Sequence, residues 1–142
     1  MTIASILGTK GRDVLSVTAH QTVMEAAALL AEKRIGALPV MDGPDVAGIF
    51  SERDVIHALK SHGVDALTRK VGDVMTAPAI TVSPSDSVIG ALSLMTRRRI
   101  RHLPVIESGR IIGVVSIGDL VKYRIDRIEA DAAAMRDYIQ TA

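Results

Sequence analysis

The stretch Arg99-Ile-Arg-His-Leu-Pro-Val-Ile106, followed by a turn around Gly109 and by Ile111-Ile-Gly-Val-Val-Ser-Ile-Gly-Asp119, decides the fold. It reads as two adjacent apolar strands that break at Ser116 into a helix. An earlier run repeats it: Arg34-Ile-Gly-Ala-Leu-Pro-Val-Met41, a turn at Gly43-Pro44, then Val46-Ala-Gly-Ile-Phe-Ser-Glu-Arg-Asp54. Pro39 and Pro104, Gly48 and Gly113, Ser51 and Ser116, and Asp54 and Asp119 all stand 65 positions apart. Four matched pairs at one offset mark an internal duplication.

The 142 residues leave each copy some 55 to 65, close to the lower limit for a self-sufficient core. The two copies are therefore expected to share one core. Hydrophobic residues make up 48% of the chain but aromatics only 2%, so that core must be aliphatic. The net charge of +1 gives no general pull toward nucleic acid or acidic membranes. No apolar run approaches the roughly 18 residues that span a bilayer. The start, Met1-Thr-Ile-Ala-Ser-Ile-Leu7, lacks the form of a signal peptide, which makes the cytoplasm the expected location. Without cysteine there is no thiol catalysis, disulfide or cysteine zinc site.

Taken in order, Ile3, Ile6 and Leu7 have helical spacing up to Gly8. Gly8-Thr-Lys-Gly11 has the Gly-x-x-Gly form of one RNA-binding loop, but four residues are a weak match, and a connector into a strand Val14 to Val17 is the better reading. Thr22 and Glu25 form a capping box ahead of a stripe of Val23, Ala26, Ala27, Leu30 and Ala31. Val88, Ala91, Leu92 and Met95 repeat that stripe. Pro39 and Pro104 cannot donate to a ladder, so their strands should be edges or bulged. Ser51 opens a helix to about Lys60, and Ser116 opens another. His62 to Arg69 reads as the connector. Val71, Val74 and Met75 echo Ile3, Ile6 and Leu7 at an offset of 68, and Pro78 and Pro84 bracket a strand Ile80 to Val82. Each copy thus reads strand, helix, strand, strand, helix. In the last helix, Val121, Ile125, Ile128, Ala132, Met135 and Ile139 alternate steps of four and three, a heptad-like seam for the parent domain or, preferably, for another subunit.

The two Ser-x-x-Asp pairs, Ser51 with Asp54 and Ser116 with Asp119, carry two compatible readings. Serine caps a helix and the acid favours its first turn. The same geometry suits a ligand, because free amides at a helix start meet phosphate and a carboxylate can accept from two ribose hydroxyls. Arg97 and Arg98 fit a solvated helix end, where cations oppose the dipole. Arg101 and His102 begin a strand, and alternation turns one of them toward the cleft between copies. Their first-copy counterparts, Gly36 and Ala37, bring no charge, so two symmetric sites would be chemically unequal. Catalytic signatures are missing: no nucleophile elbow, no Walker loop, no Gly-x-Gly-x-x-Gly. His20, His57, His62 and His102 do not cluster at metal-ligand spacing. The arginine run from Arg97 to Arg101 lacks the interleaved aromatics of a nucleic-acid surface.

With these residues laid out, the chain resembles a tandem pair of cystathionine-beta-synthase-type (CBS) domains, a Bateman module, of the small stand-alone bacterial kind. The resemblance covers nearly all of Met1 to Lys122. Its carriers are Leu38-Pro-Val40, Leu103-Pro-Val105 and the Gly-x-x-Ser-x-x-Asp runs at Gly48 and Gly113. It implies an α+β fold of two β-α-β-β-α repeats packed sheet to sheet about a pseudo-twofold, with a C-terminal helix extension. The corresponding division is residues 1–70 for the first repeat with the N-terminal helix and connector, 71–124 for the second, and 125–142 for the extension.

The resemblance also implies two clefts for adenosine compounds: AMP, ADP, ATP, S-adenosylmethionine or NAD(H). By that likeness Asp54 and Asp119 take the ribose. Ser51, Arg53, Arg101, His102 and Ser116 serve phosphate and sugar, with Arg101 and His102 reaching across to the ligand on Asp54. Ser16, Val17, Thr18, Ile49, Ile80, Thr81, Val82 and Val114 line the base pockets. The expected function is a non-catalytic adenine-nucleotide-binding regulatory module that signals ligand state to an unidentified partner protein, as a homodimer, without metal and away from membranes. The alternatives are an interaction module with vestigial clefts and, less favoured, nucleic-acid binding through Arg97 to Arg101.

Overall fold

A computed structural model of the protein describes residues 1–10 and 14–141, so the Gly-x-x-Gly reading at Gly8 to Gly11 lies partly outside the described residues. Helix α1 (Ile3–Lys10) comes first. The first repeat runs β1 (Val17–Thr18), α2 (Val23–Lys33), β2 (Ala37–Asp42), β3 (Asp45–Ser51) and α3 (Glu52–His62). The connector is a 3-10 helix, Gly63–Thr68, where sequence suggested only a link. After the single turn α4 (Val71–Val74), the second repeat runs α5 (Val88–Arg98), β4 (His102–Glu107), β5 (Arg110–Ser116) and the long α6 (Ile117–Thr141).

The prolines explain why the leading strand of each repeat is so short. In the second repeat Val82 donates to the Pro104 carbonyl at 3.0 Å and accepts from the Ile106 amide at 2.9 Å, a parallel bridge centred on Val105. Extending it backward requires an amide at Pro104, and extending it forward requires one at Pro84; neither nitrogen carries a hydrogen. The strand expected over Ile80 to Val82 therefore shrinks to one bridge. In the first repeat Val17 pairs with Val40 and Thr18 with Met41. Pro39 blocks backward extension in the same way, so the strand starts at Val17 rather than Val14. Pro39 is not on an edge strand: β2 lies between β1 and β3. The bulge alternative describes both strands, with the register slipping between Val40 and Met41 and between Val105 and Ile106.

Helix ends follow local chemistry, with one difference from expectation. The Thr22 hydroxyl accepts from the Glu25 amide at 3.1 Å, but the Glu25 carboxylate takes the Thr22 hydroxyl rather than the Thr22 amide, so that box closes only halfway. Helices α2 and α5 both end on an arginine in the left-handed region, Arg34 at φ 54° and Arg99 at φ 56°. The duplication thus extends to backbone conformation.

The core is not the single one expected. One cluster gathers Val88, Ala91, Met95, Leu103, Val105, Val115 and Leu120 of the second repeat around Ile3, Ile6 and Leu7. The other gathers Val17, Val23, Ala26, Leu30, Leu38, Val40 and Phe50 of the first repeat around Val71, with Val74 and Met75 against it. Each leading helix therefore completes the opposite repeat. Its hydrogen bonds repeat as faithfully as its packing: Ile3 donates to Asp86 and Val71 to Gln21, while Val88 donates to Met1 and Val23 to Arg69. This exchange lets two units near the lower size limit reach a sufficient core. It also places α1, grouped by sequence with residues 1–70, in the core of the second repeat.

Candidate functional site

Strands β3 and β5 adjoin across the pseudo-twofold, and each delivers its chain into a helix at a serine. At the first, the Asp54 carboxylate accepts the Ser51 amide at 2.8 Å and the Ser51 hydroxyl at 3.1 Å, both on Oδ2. The Asp54 amide donates back to the Ser51 hydroxyl at 3.4 Å. Thr76 donates its hydroxyl to Oδ1 at 2.9 Å. At the second, Asp119 Oδ2 accepts the Ser116 amide at 2.9 Å and the Asp119 amide donates to the Ser116 hydroxyl at 3.1 Å. Capping is thus present at both acids. Both remain half-buried rather than turned to bulk water, and each borders a cleft.

The larger cleft holds about 780 Å³ and draws its walls from both repeats. The first repeat gives Ile49, Ser51, Arg53, Asp54, Ile56 and His57; the second gives Arg98, Arg99, Arg101, His102 and Ser116, with Thr76 and Pro78 to Ile80 between them. Four arginines therefore share a space with the acids Glu52 and Asp54. The Arg53 guanidinium donates to the Arg99 carbonyl at 2.9 Å, tying the start of α3 to the end of α5. The smaller cleft holds about 430 Å³ and includes Val14, Leu15, Arg34, Gly36, His102, Val114, Ser116 and Asp119, with Arg34 its one arginine among the described residues. Both volumes lie in the usual range for small-molecule sites. The inequality expected from Gly36 and Ala37 is visible in size as well as charge.

Most of the expected residues reach a cleft, and some do not. Ile49, Ile80, Ser51, Arg53, Asp54, Arg101, His102 and Ser116 border the larger one; Val114, Asp119, His102 and Ser116 border the smaller. Arg101 and His102 both face the larger cleft, because β4 starts only at His102 and strand alternation does not govern Arg101. Ser16, Val17, Thr18, Thr81 and Val82 border neither cleft. Val17 and Val82 point into the cores, and Ser16, Thr18 and Thr81 are exposed. The segments just before the bridges, Val14 with Leu15 and Pro78 with Ala79, form those walls instead.

Arg98, read from sequence as a solvated helix end, faces the larger cleft with Arg99. Ile56 and His57 follow Arg53 by three and four residues, so helical spacing alone could have found them. Thr76 had no local signal. It arrives because its backbone exchanges hydrogen bonds with Ile49 at 2.9 and 2.8 Å. Among the described residues no group of His, Asp and Glu is arranged to hold a metal ion, and no helix is long and apolar enough to cross a membrane.

Comparison with known proteins agrees with this architecture. The sequence profile of the CBS domain matches residues 9–61 and 71–126. A mitochondrial CBS domain-containing protein of Arabidopsis thaliana, CBSX3, is 36% identical over 148 aligned positions, covering 98% of this chain and 72% of the relative. The crystal structure of the CBS-domain protein ATU1752 from Agrobacterium tumefaciens superposes with a TM-score of 0.85 at 38% identity, covering 87% of this chain and 99% of that one. At 24% identity and a TM-score of 0.74, the CBS domain pair of MJ0100, solved with 5′-methylthioadenosine and S-adenosylmethionine, shares the fold; the match covers 89% of this chain and 98% of that one.

Proposed function

The chain belongs to the CBS-domain family, and on that premise we propose that it is a non-catalytic regulatory module binding an adenine nucleotide, AMP, ADP, ATP or NAD(H), in the Asp54 cleft. The observation that carries this reading is the meeting of a helix-start carboxylate from one repeat with Arg98, Arg99 and Arg101 from the other. A carboxylate accepts from vicinal ribose hydroxyls, and arginine forks match phosphate oxygens. Ile49 and Ile80 supply apolar wall for a base. Asp54 Oδ2 already accepts twice and Oδ1 once. A ribose diol needs two acceptor positions, so binding turns either the Ser51 or the Thr76 hydroxyl toward the ligand.

The Asp119 cleft, smaller and with one arginine among the described residues, suits a less charged moiety. A ligand held by Asp54 and Arg101 touches both repeats. It therefore favours whichever inter-repeat arrangement brings those groups together, and only such differential affinity transmits a signal. The protein works in the cytoplasm as a homodimer, and a partner protein reads the arrangement.

Calorimetry with AMP, ATP and NADH tests the assignment. Wild type and Asp119→Ala should bind at least one of them in the same cleft, and Asp54→Ala should lose it. Unchanged binding by Asp54→Ala removes the ribose role. At about 100 times its dissociation constant the ligand should stabilise the fold by about 2.7 kcal/mol; no thermal shift with any of the three counts against the reading.

A further inference from the structure

Helix α6 leaves the body of the protein soon after it starts. Leu120 is fully buried and Tyr123 packs on the second core, but residues 125–141 are all exposed. That is about 25 Å of helix made of exposed residues throughout. In proteins most helical stability comes from packing an amphipathic face. This helix carries an apolar stripe: Val121 is 42% exposed, Ile125 49%, Ile128 53%, Met135 60% and Ile139 66%. Ala132 completes the four-three alternation.

The charges beside the stripe choose its occupant. Written as heptads, the stripe puts Ile125, Ala132 and Ile139 at a, and Val121, Ile128 and Met135 at d. Arg124 and Asp131 then occupy g, while Glu129 and Arg136 occupy e. In a parallel, in-register pair each g position faces the e position five residues further along the partner. Arg124 meets the partner's Glu129, and Asp131 meets the partner's Arg136, so each flanking pair joins opposite charges. A fully overlapped antiparallel pair sets e against e and g against g. Glu129 would then face the partner's Glu129, Asp131 the partner's Asp131, and Lys122 the partner's Arg136, three like-charge pairings, while Arg124 would face the uncharged Tyr138 of the partner subunit. Among the described residues Arg124 makes a 3.9 Å contact to the Met1 sulfur, which a carboxylate can displace.

We propose that α6 binds α6 of a second copy as a parallel, in-register two-stranded coiled coil, with both folded bodies at the same end. This deepens the homodimer part of the reading above by giving the surface and its direction; it does not depend on the nucleotide.

Full-length protein tests it. Sedimentation equilibrium should give two copies, and Ile128→Lys should give a monomer whose body melts as before, since Ile128 touches neither core. A wild-type monomer, or a dimer that survives Ile128→Lys, overturns the proposal. The chain has no cysteine, so an introduced one is the sole thiol. Met135→Cys should form a disulfide-linked dimer on oxidation. In the antiparallel pair the two copies of position 135 lie about 15 Å apart, beyond disulfide reach. There a mixture of Ile125→Cys and Met135→Cys would cross-link to each other instead, which overturns the parallel direction. Asp131→Arg should weaken the dimer about tenfold and Arg136→Asp added to it should restore it; tightening by Asp131→Arg alone overturns the pairing. Calorimetry on Ile128→Lys keeps the two readings apart: a monomer that still binds nucleotide supports both, while a wild-type dimer that binds none sinks only the cleft assignment.

Discussion

Thr76 donates its hydroxyl hydrogen to Asp54 Oδ1 at 2.9 Å. The two residues are 22 positions apart, and the contact fastens the segment entering the second repeat onto the helix start of the first. The same segment places Met75 beneath β3 and Pro78 to Ile80 in the cleft wall. The acid is consequently both a structural cap and the centre of the candidate site.

Those two roles separate by substitution. Asp54→Ala removes the acceptor of the Ser51 amide and of Thr76, and should lower stability by about 1–2 kcal/mol in urea unfolding. Asp54→Asn keeps one carbonyl oxygen for the Ser51 amide and should lose less than half of that. Nucleotide affinity should fall at least about tenfold in both, because an amide presents a single acceptor oxygen to a ribose diol. An Asp54→Asn protein that binds like wild type would confine the residue to capping.

Arg101 distinguishes phosphate from nucleoside. Arg101→Ala should weaken AMP or ATP about ten- to a hundredfold, the size of a lost hydrogen bond to a charged group. Adenosine binding should change by less than about threefold. Equal losses for nucleoside and nucleotide would place the phosphates elsewhere in the cleft.

The paired glycines should not be equal. A methyl group on Gly48 would lie 2.6 Å from the Thr76 backbone oxygen and 2.9 Å from the Met75 sulfur. On Gly113 its nearest neighbour is the Leu7 Cδ2 at 2.6 Å, the end of a side chain that can rotate. Gly48→Ala should cost about 1–3 kcal/mol by overpacking against backbone, and Gly113→Ala distinctly less. Chemical denaturation of both variants measures the difference, and the reverse order would refute the rigid contact at Thr76.

The exchange of leading helices predicts where damage travels. Leu7→Ala should cost about 2–5 kcal/mol and raise amide exchange chiefly in α5, β4 and β5, although Leu7 stands next to the first repeat in the chain. Val71→Ala, about 1–3 kcal/mol by the smaller side chain, should loosen α2, β2 and β3. Exchange that rises in the neighbouring repeat instead would mean the helices are not exchanged in solution.

The offset of 65, the helical stripes, the two turns and the two Ser-x-x-Asp starts were legible because each rests on contacts within a few residues. Side-chain periodicity and capping operate at three and four positions, so a linear reading captures them. The unequal charge of the clefts was legible too, since Gly36 against Arg101 is a matter of composition at matched positions. What the chain in one dimension did not determine was which repeat each leading helix completes, that Thr76 reaches Asp54, that Arg98 joins the cleft, or that Val17 and Val82 turn away from it. Those outcomes depend on which apolar surfaces pack together and on where the amide-less nitrogens of Pro39, Pro84 and Pro104 stop the parallel pairing. Burial carries no address in sequence separation. Both repeats have nearly the same apolar pattern, and only closing them face to face decides which partner each helix takes.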